Sequence, residues 1–505
     1  MTQEVERTVD LLVIGGGVNG AGVARDAAGR GLSVLLCEKG DLAEGTSSRS
    51  GKYIHGGLRY LEYYEFRLVR EALIEREVLL AAAPHIVWPL RLILPHSSEQ
   101  RPRWLIRLGL FLYDHLGGRK RLPRSRSINL RAAPEGVPLR ESFRNAFEYA
   151  DCWVDDSRLV VSNAVDAARL GAEVVTRTAC VSARREGALW RVVLQDEGVG
   201  TTRNVMARAL VNTAGPWVET VLGNVVGVNA QRRVRLVKGS HIILKRWWRG
   251  EHGYVLQNTD RRLIFVNPYL EDLALVGTTD IPFEGRAEDV AIEQAEVDYL
   301  LKVLNRYFET ALTPDDVLAD YSGVRPLFDD DESKGASAVT RDYELELDGG
   351  EGRAPILSAF GGKITTYRKL SEAALERLKP FFPHMTEPWT ASAPLPGGDI
   401  PDADFEGWLS GFSAAHPWLP ETLARHYARA FGTDAERLIE GVGSLDDLGL
   451  CFGGHLYERE VRWLIEREWA RTPEDVLERR TKHGLFLSEV QRTAFANWME
   501  MKVAA

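Results

Sequence analysis

A short apolar run, Leu11 to Ile14, is followed directly by Gly15-Gly16-Gly17-Val18-Asn19-Gly20. A helical pattern continues to Arg30, Gly31 stops it, and Ser33 to Cys37 reads as a second strand ending at Glu38. Strand, glycine turn, helix and strand in this order demand a right-handed crossover and commit the N-terminal part to an α/β sheet. The motif Gly-x-Gly-x-x-Gly alone is weak, but in this setting it predicts a dinucleotide site. Gly15 permits the tight turn, Gly17 admits a pyrophosphate, and Gly20 lets helix and strand pack. The helix start offers free N–H groups and a positive dipole end to phosphate, and Glu38 can accept ribose hydroxyls.

The fingerprint suits NAD and FAD equally, and two later segments separate them. "ALVNTAGPW", with Gly215, and "LSAFGGKITTYRKLSEAA" both run from a strand into small residues that suit one extended cofactor. Gly361-Gly362 opening a helix places N–H groups near the pyrimidine edge of a flavin. That edge becomes negative on reduction, so a helix start and Lys363 stabilise the reduced state. FAD is therefore the expected cofactor, held non-covalently, since no motif for a covalent link is present.

With 505 residues the chain has room for two or three domains. A formal charge of -9 argues against general nucleic-acid binding. Cys37, Cys152, Cys180 and Cys451 show neither disulfide nor metal spacing, and no metal is expected. The start of the chain lacks the apolar core of a signal peptide, and no run is long enough to span a membrane. Helices are predicted over Glu65–Ala83 and Asp156–Leu170, and strands over Val174–Arg185, Leu189–Leu194 and Ala209–Thr213. Several antiparallel strands are predicted between Arg232 and Thr279. "PLPGGDIPDAD" (394–404) reads as a linker, and the remainder as helical to the end.

The segments "DLLVIGGGVNGAGVARDAAGRGLSVLLCEKGDLAEGTSS", "IHGGLRYLE", "DCWVDDSRL", "KGSHIIL", "VGTTD", "YSGVRPL", "VTRDYELE" and "FGGKITTYRKL" occur in this order. Together they resemble the FAD-dependent glycerol-3-phosphate dehydrogenases from residue 9 to about 370. The helical C-terminal part with "EPWTASAPLPGG" is similar too. The resemblance implies a glutathione-reductase-type (Rossmann-like) FAD-binding domain, an antiparallel-sheet substrate domain and a helical C-terminal domain. The corresponding ranges are 1–84, 151–225 and 340–385 for the first, 85–150 and 226–339 for the second, and 395–505 for the third. It implies oxidation of sn-glycerol 3-phosphate to dihydroxyacetone phosphate, with electrons passed to membrane quinone. Peripheral attachment to the cytoplasmic face follows from that acceptor, and a homodimer is compatible with the reading.

By the same resemblance, Thr46, Ser47 and Ser48 line the flavin, while Arg59 and Tyr60 meet the substrate phosphate. Gly51 and Tyr53 depart from the small polar residue and the leucine common there. Elementary chemistry agrees: a phosphate monoester carries nearly two negative charges, and guanidinium forks bind it in pairs of hydrogen bonds. Arg59, Arg325 in "GVRPL" and Arg341 in "TRDY" are the candidates. Oxidation of a secondary alcohol also needs a group to take the hydroxyl proton. His55 and His241 titrate near neutrality, and Arg325 can steady an alkoxide; residue type does not rank the three.

The stretch from Arg101 to Arg126 holds eight bases and one acid, interleaved with Trp104, Leu105, Ile106, Leu110, Phe111 and Tyr113. It can lie on an anionic bilayer, although its pattern alone favours a core-facing helix with a solvated basic face. Two other functional classes stay open: a flavin oxidase that reduces oxygen, acting on glycerol 3-phosphate or an amine, and a non-catalytic flavin-binding protein.

Overall fold

The structure, a computed structural model, describes residues 7–228, 232–260, 262–328 and 342–503. The glycine turn belongs to an eight-stranded sheet. Its main path runs Tyr343–Gly350, Arg353–Gly361, Thr202–Asn212, Thr8–Ile14, Val34–Cys37, Glu173–Val175. All of these pair in parallel except the first two. Parallel strands are covered on both faces, which is why Leu11, Leu12, Val13, Leu35 and Leu36 are all buried without alternation. Leu11 and Val13 pack beneath the helices Val18–Gly29, Asp156–Arg169 and Tyr367–Leu378. Leu12 and Leu35 face the other way, against Trp190, Val192 and Leu194.

Strand Thr202–Asn212 serves two partners. Thr202–Ala207 pairs antiparallel with Leu189–Asp196, which pairs in turn with Thr178–Glu186, and the rest joins the parallel sheet. The segment Val174–Arg185, expected as one strand, is two. Arg177 takes φ +50 between Glu173–Val175 and Thr178–Glu186, so the chain turns from the parallel edge into this meander.

The second sheet has ten strands. Its path is Ile281–Pro282, Val234–Lys245, Leu273–Gly277, Leu263–Tyr269, Gly253–Gln257, Val87–His96, Asn145–Val154, Tyr53–Ile54. Val317–Phe328 pairs along Val234–Lys245, and Arg126–Asn129 along Asn145–Val154. Residues 151–154 therefore lie in this sheet, as do Tyr53 and Ile54. Alternation sorts Val234–Lys245 into two faces. Ile242 and Leu244 pack on Val297, Leu300 and Leu304 of helix Gln294–Tyr307. On the same face Lys238 meets Glu296 at 2.8 Å and Ser240 donates to it at 2.8 Å. Gly239 and His241 are left to face the other way.

Helices Phe405–Ala415, Glu421–Phe431, Glu458–Glu468 and Glu489–Val503 close over their own core of Leu423, Tyr427, Val461, Leu464, Phe495 and Met499. A small hairpin, Cys451–Gly453 with Leu456–Tyr457, interrupts the expected all-helical run. The segment read as a linker is packed: Leu395 and Ile400 are buried, and the Leu395 N–H donates to the Ala82 carbonyl at 2.8 Å. Buried ion pairs tie this unit to the first sheet. Arg480 meets Asp41 at 2.7 Å, and Lys482 meets Asp155 at 2.5 Å.

Candidate active site

The glycine turn lies at the carboxyl ends of the parallel strands, where open α/β sheets bind their ligands. Gly15 has φ +107, and a Cβ on Gly20 would lie 1.9 Å from the Gly15 carbonyl oxygen, so only glycine fits there. The Gly16 N–H donates to Glu38 at 2.6 Å and the Gly40 N–H at 2.8 Å, while burial raises the pKa of that carboxyl. At the helix start Gly17 carries no side chain, and Ser47 Oγ accepts from the Val18 N–H at 3.0 Å. Ser47 thus sits at the end of the helix that offers N–H groups to a pyrophosphate.

The other expected cofactor segments arrive at the same edge. Gly215, at φ +55, opens the turn after Thr202–Asn212. Gly361 and Gly362, at φ +76 and +100, end and follow Arg353–Gly361, and Gly362 lies beside Asn19 in the first turn of helix Val18–Gly29. Asn19 Oδ1 is buried and, among the described residues, has no hydrogen-bond partner. Lys363 begins the turn leading into Tyr367–Leu378, with its Nζ 3.9 Å above the Tyr60 ring. The His55 N–H donates to Thr365 of that turn at 3.3 Å. Arg59 is half-buried in the turn Leu58–Tyr63 and, among the described residues, makes no hydrogen bond or ion pair. Arg341 lies outside the described residues.

Strand Val317–Phe328 forms the facing wall. Thr46 Oγ1 donates to the Val324 carbonyl at 2.8 Å, Arg49 to that of Ser322 at 3.3 Å, and Tyr321 to that of Ser50 at 2.7 Å. The Tyr321 ring stacks on His241 at 4.8 Å. Opposite it stands Gly277, where a Cβ would lie 2.1 Å from His241 Cδ2. Arg325 extends over bare Gly239, where a Cβ would meet its Nη2 at 2.4 Å, so its guanidinium shares the face of His241. Asp280 accepts from Arg325 Nη1 at 2.5 Å and Thr278 from Nη2 at 2.9 Å. Burial, then the charges of Arg325 and Lys52, hold His241 well below its ordinary pKa, so it is neutral near pH 7.

Asp280, Thr278, Tyr321, Lys52 and Asp156 also contribute, which residue type and spacing did not reveal. Four of them stood in quoted segments, "VGTTD", "YSGVRPL" and "DCWVDDSRL", but only the sheet register shows what they touch.

A family model described as FAD dependent oxidoreductase matches residues 10–368, and one for the C-terminal domain of alpha-glycerophosphate oxidase matches 388–501. The aerobic glycerol-3-phosphate dehydrogenase of Escherichia coli (strain K12) is 49% identical over 97% of both chains. This chain belongs to the FAD-dependent glycerol-3-phosphate dehydrogenase family. The D-erythritol 1-phosphate dehydrogenase of Brucella abortus (strain 2308) is 58% identical over 98% of both chains. The crystal structure of the Bacillus halodurans glycerol-3-phosphate dehydrogenase complexed with FAD superposes with a TM-score of 0.75 at 25% identity, covering 99% of this chain and 95% of that one. FAD is the cofactor of the family, and the bare turn, the helix start, Glu38 and the unpartnered Asn19 oxygen fit it. Gly20→Ala should therefore purify with little flavin, read as the ratio of flavin to protein absorbance. Parent flavin should appear in the supernatant after acid precipitation.

Proposed function

We propose that this dehydrogenase oxidises sn-glycerol 3-phosphate to dihydroxyacetone phosphate and passes the electrons to membrane quinone. The observation that carries the reading is the shared face of His241 and Arg325, beside the wall that meets the loop from Thr46 to Ser50, whose Ser47 accepts from the Val18 N–H at the cofactor helix start. His241, neutral and buried, takes the hydroxyl proton. Arg325, anchored by Asp280 and Thr278, steadies the oxygen as it loses that proton. Arg59 and Tyr60 hold the phosphate, and Lys363, at the start of the turn after Gly362, would stabilise the flavin edge as it becomes negative. The carbinol hydrogen leaves as a hydride, for which bound FAD is the acceptor. His55 is the alternative base.

A second substrate reading has its own support. The relative acting on D-erythritol 1-phosphate is 58% identical, against 49% for the Escherichia coli enzyme. Gly51 also stands without a side chain beside His241, where a Cβ would lie 3.6 Å from Nε2. The ratio of kcat/KM for the two phosphates decides between them.

No helix among the described residues is long and apolar enough to cross a membrane. Helix Arg103–Leu116 instead exposes Trp104 (68%), Leu108 (47%) and Phe111 (51%), and buries only Leu110 and Tyr113. The adjoining turn adds Tyr63 and Tyr64, and Arg101 and Arg103 at the helix start are exposed. Aromatic side chains facing out among bases suit an anionic bilayer surface, reached peripherally from the cytoplasmic side.

Arg325→Met keeps the bulk of the stem and deletes the fork. A hydrogen bond to a charged group contributes roughly 1.5–3 kcal/mol, so kcat/KM for glycerol 3-phosphate should fall about ten- to 150-fold with flavin content unchanged. Unaltered turnover would remove Arg325 from the site. For the membrane surface, the double variant Trp104→Ser/Phe111→Ser should co-sediment less with anionic vesicles while still oxidising substrate with a soluble dye. Rapid turnover of the soluble parent with oxygen and peroxide release would favour an oxidase.

A further inference from the structure

The paired aspartates of "DCWVDDSRL" have no part in the chemistry above, yet both are tied to lysines from distant parts of the chain. Asp155 takes Lys482 from the C-terminal unit at 2.5 Å. Asp156, fully buried, turns the other way and meets Lys52 Nζ at 2.7 Å. It also accepts from the Ser50 hydroxyl at 2.7 Å and the Ser50 N–H at 3.3 Å. Lys52 is 4% exposed and sits at φ +60, a backbone conformation that costs a lysine energy. Its Nζ donates to the Ser48 carbonyl at 3.2 Å and stands 5.4 Å from the centre of the Tyr321 ring. Tyr321 in turn is bonded to Ser50 and stacked on His241.

We propose that Lys52, clamped by Asp156, is a positioning residue for the oxidation: it braces the Ser50–Tyr321–His241 stack and places a fixed positive charge behind the histidine. The proposal rests on the reading of His241 as the base. A buried ion pair is weak ground for stability, since apolar residues of the same shape do as well or better. What such a pair supplies here is a rigid loop and a field. The charged groups around His241 are Arg325, backed by Asp280, and Lys52, backed by Asp156. Arg49 lies on the same loop, and the Tyr321 hydroxyl, whose ionisation is pushed up by burial, is uncharged. Both cations disfavour the imidazolium, which keeps the ring unprotonated down to lower pH.

The base works unprotonated, so activity is lost as pH falls through its pKa, and removing a neighbouring cation moves that loss to higher pH. In flavin-loaded Lys52→Met, the acid limb of kcat/KM for glycerol 3-phosphate should rise by about one pH unit. The same variant should lower kcat more than it raises KM. Lys52→Arg, which keeps charge and partner, should restore the limb. If Lys52→Met retains no flavin, the double variant Lys52→Met/Asp156→Asn removes both buried charges and is read in the same way. An acid limb that H241N abolishes but that the Lys52 variants leave in place overturns the role of Lys52 alone. A limb that survives H241N overturns the reading of His241, and this proposal with it.

Discussion

The loop from Thr46 to Lys52 is laid along the strand Val317–Phe328 by three hydrogen bonds, from Thr46, Arg49 and Tyr321. That seam joins the two sheets at the site, while Leu11 and Val13 of the first share a core with Ile54, Val87, Cys152 and Val154 of the second. One sheet ends in the glycine turn and the loop Gly361-Gly362-Lys363; the other carries His241 and Arg325 on one face. The seam sets the loop beside the cofactor edge against the proton-accepting face, and proximity is a large part of what such a site supplies. Bare positions make the approach possible. Gly323 leaves room for Arg49, whose Cβ would lie 2.8 Å from a Cβ there.

Charge placement follows the same geometry. Each cation near His241 has a carboxylate behind it: Asp280 for Arg325 and Asp156 for Lys52. The carboxylates fix where the cations point, while the cations face the histidine. A buried imidazole between two cations stays neutral, the state a base needs at pH 7. The exposed aromatic side chains lie on a different surface, on helix Arg103–Leu116 and the turn before Tyr64.

Local signals in the chain were legible where one residue type has one backbone consequence. The turn Gly15–Gly20, the acid at Glu38 and the helix after Gly362 stand where spacing placed them. The alternation in Val234–Lys245 separates His241 from Lys238 and Ser240, as period two requires. Arg177 was not legible, because a single left-handed residue splits an otherwise continuous strand pattern. The segment 394–404 looked like a linker because its Pro and Gly residues are turn formers, yet those turns are packed against Ala82 and Phe431. Asp156, Lys52 and Tyr321 lie far apart in sequence, and nothing in residue type says that they meet. For Arg103–Leu116 the composition suited a core or a bilayer, and burial alone shows its aromatic side turned out.

The central claim is that one face bearing His241 and Arg325 presents a polyol phosphate to the flavin. Anaerobic mixing of the purified yellow protein with glycerol 3-phosphate tests it most directly. Rapid loss of the oxidised flavin band, saturating with substrate, is expected, with far slower loss on adding glycerol. A flavin that stays oxidised with both glycerol 3-phosphate and D-erythritol 1-phosphate, or one that glycerol bleaches as fast, would contradict it.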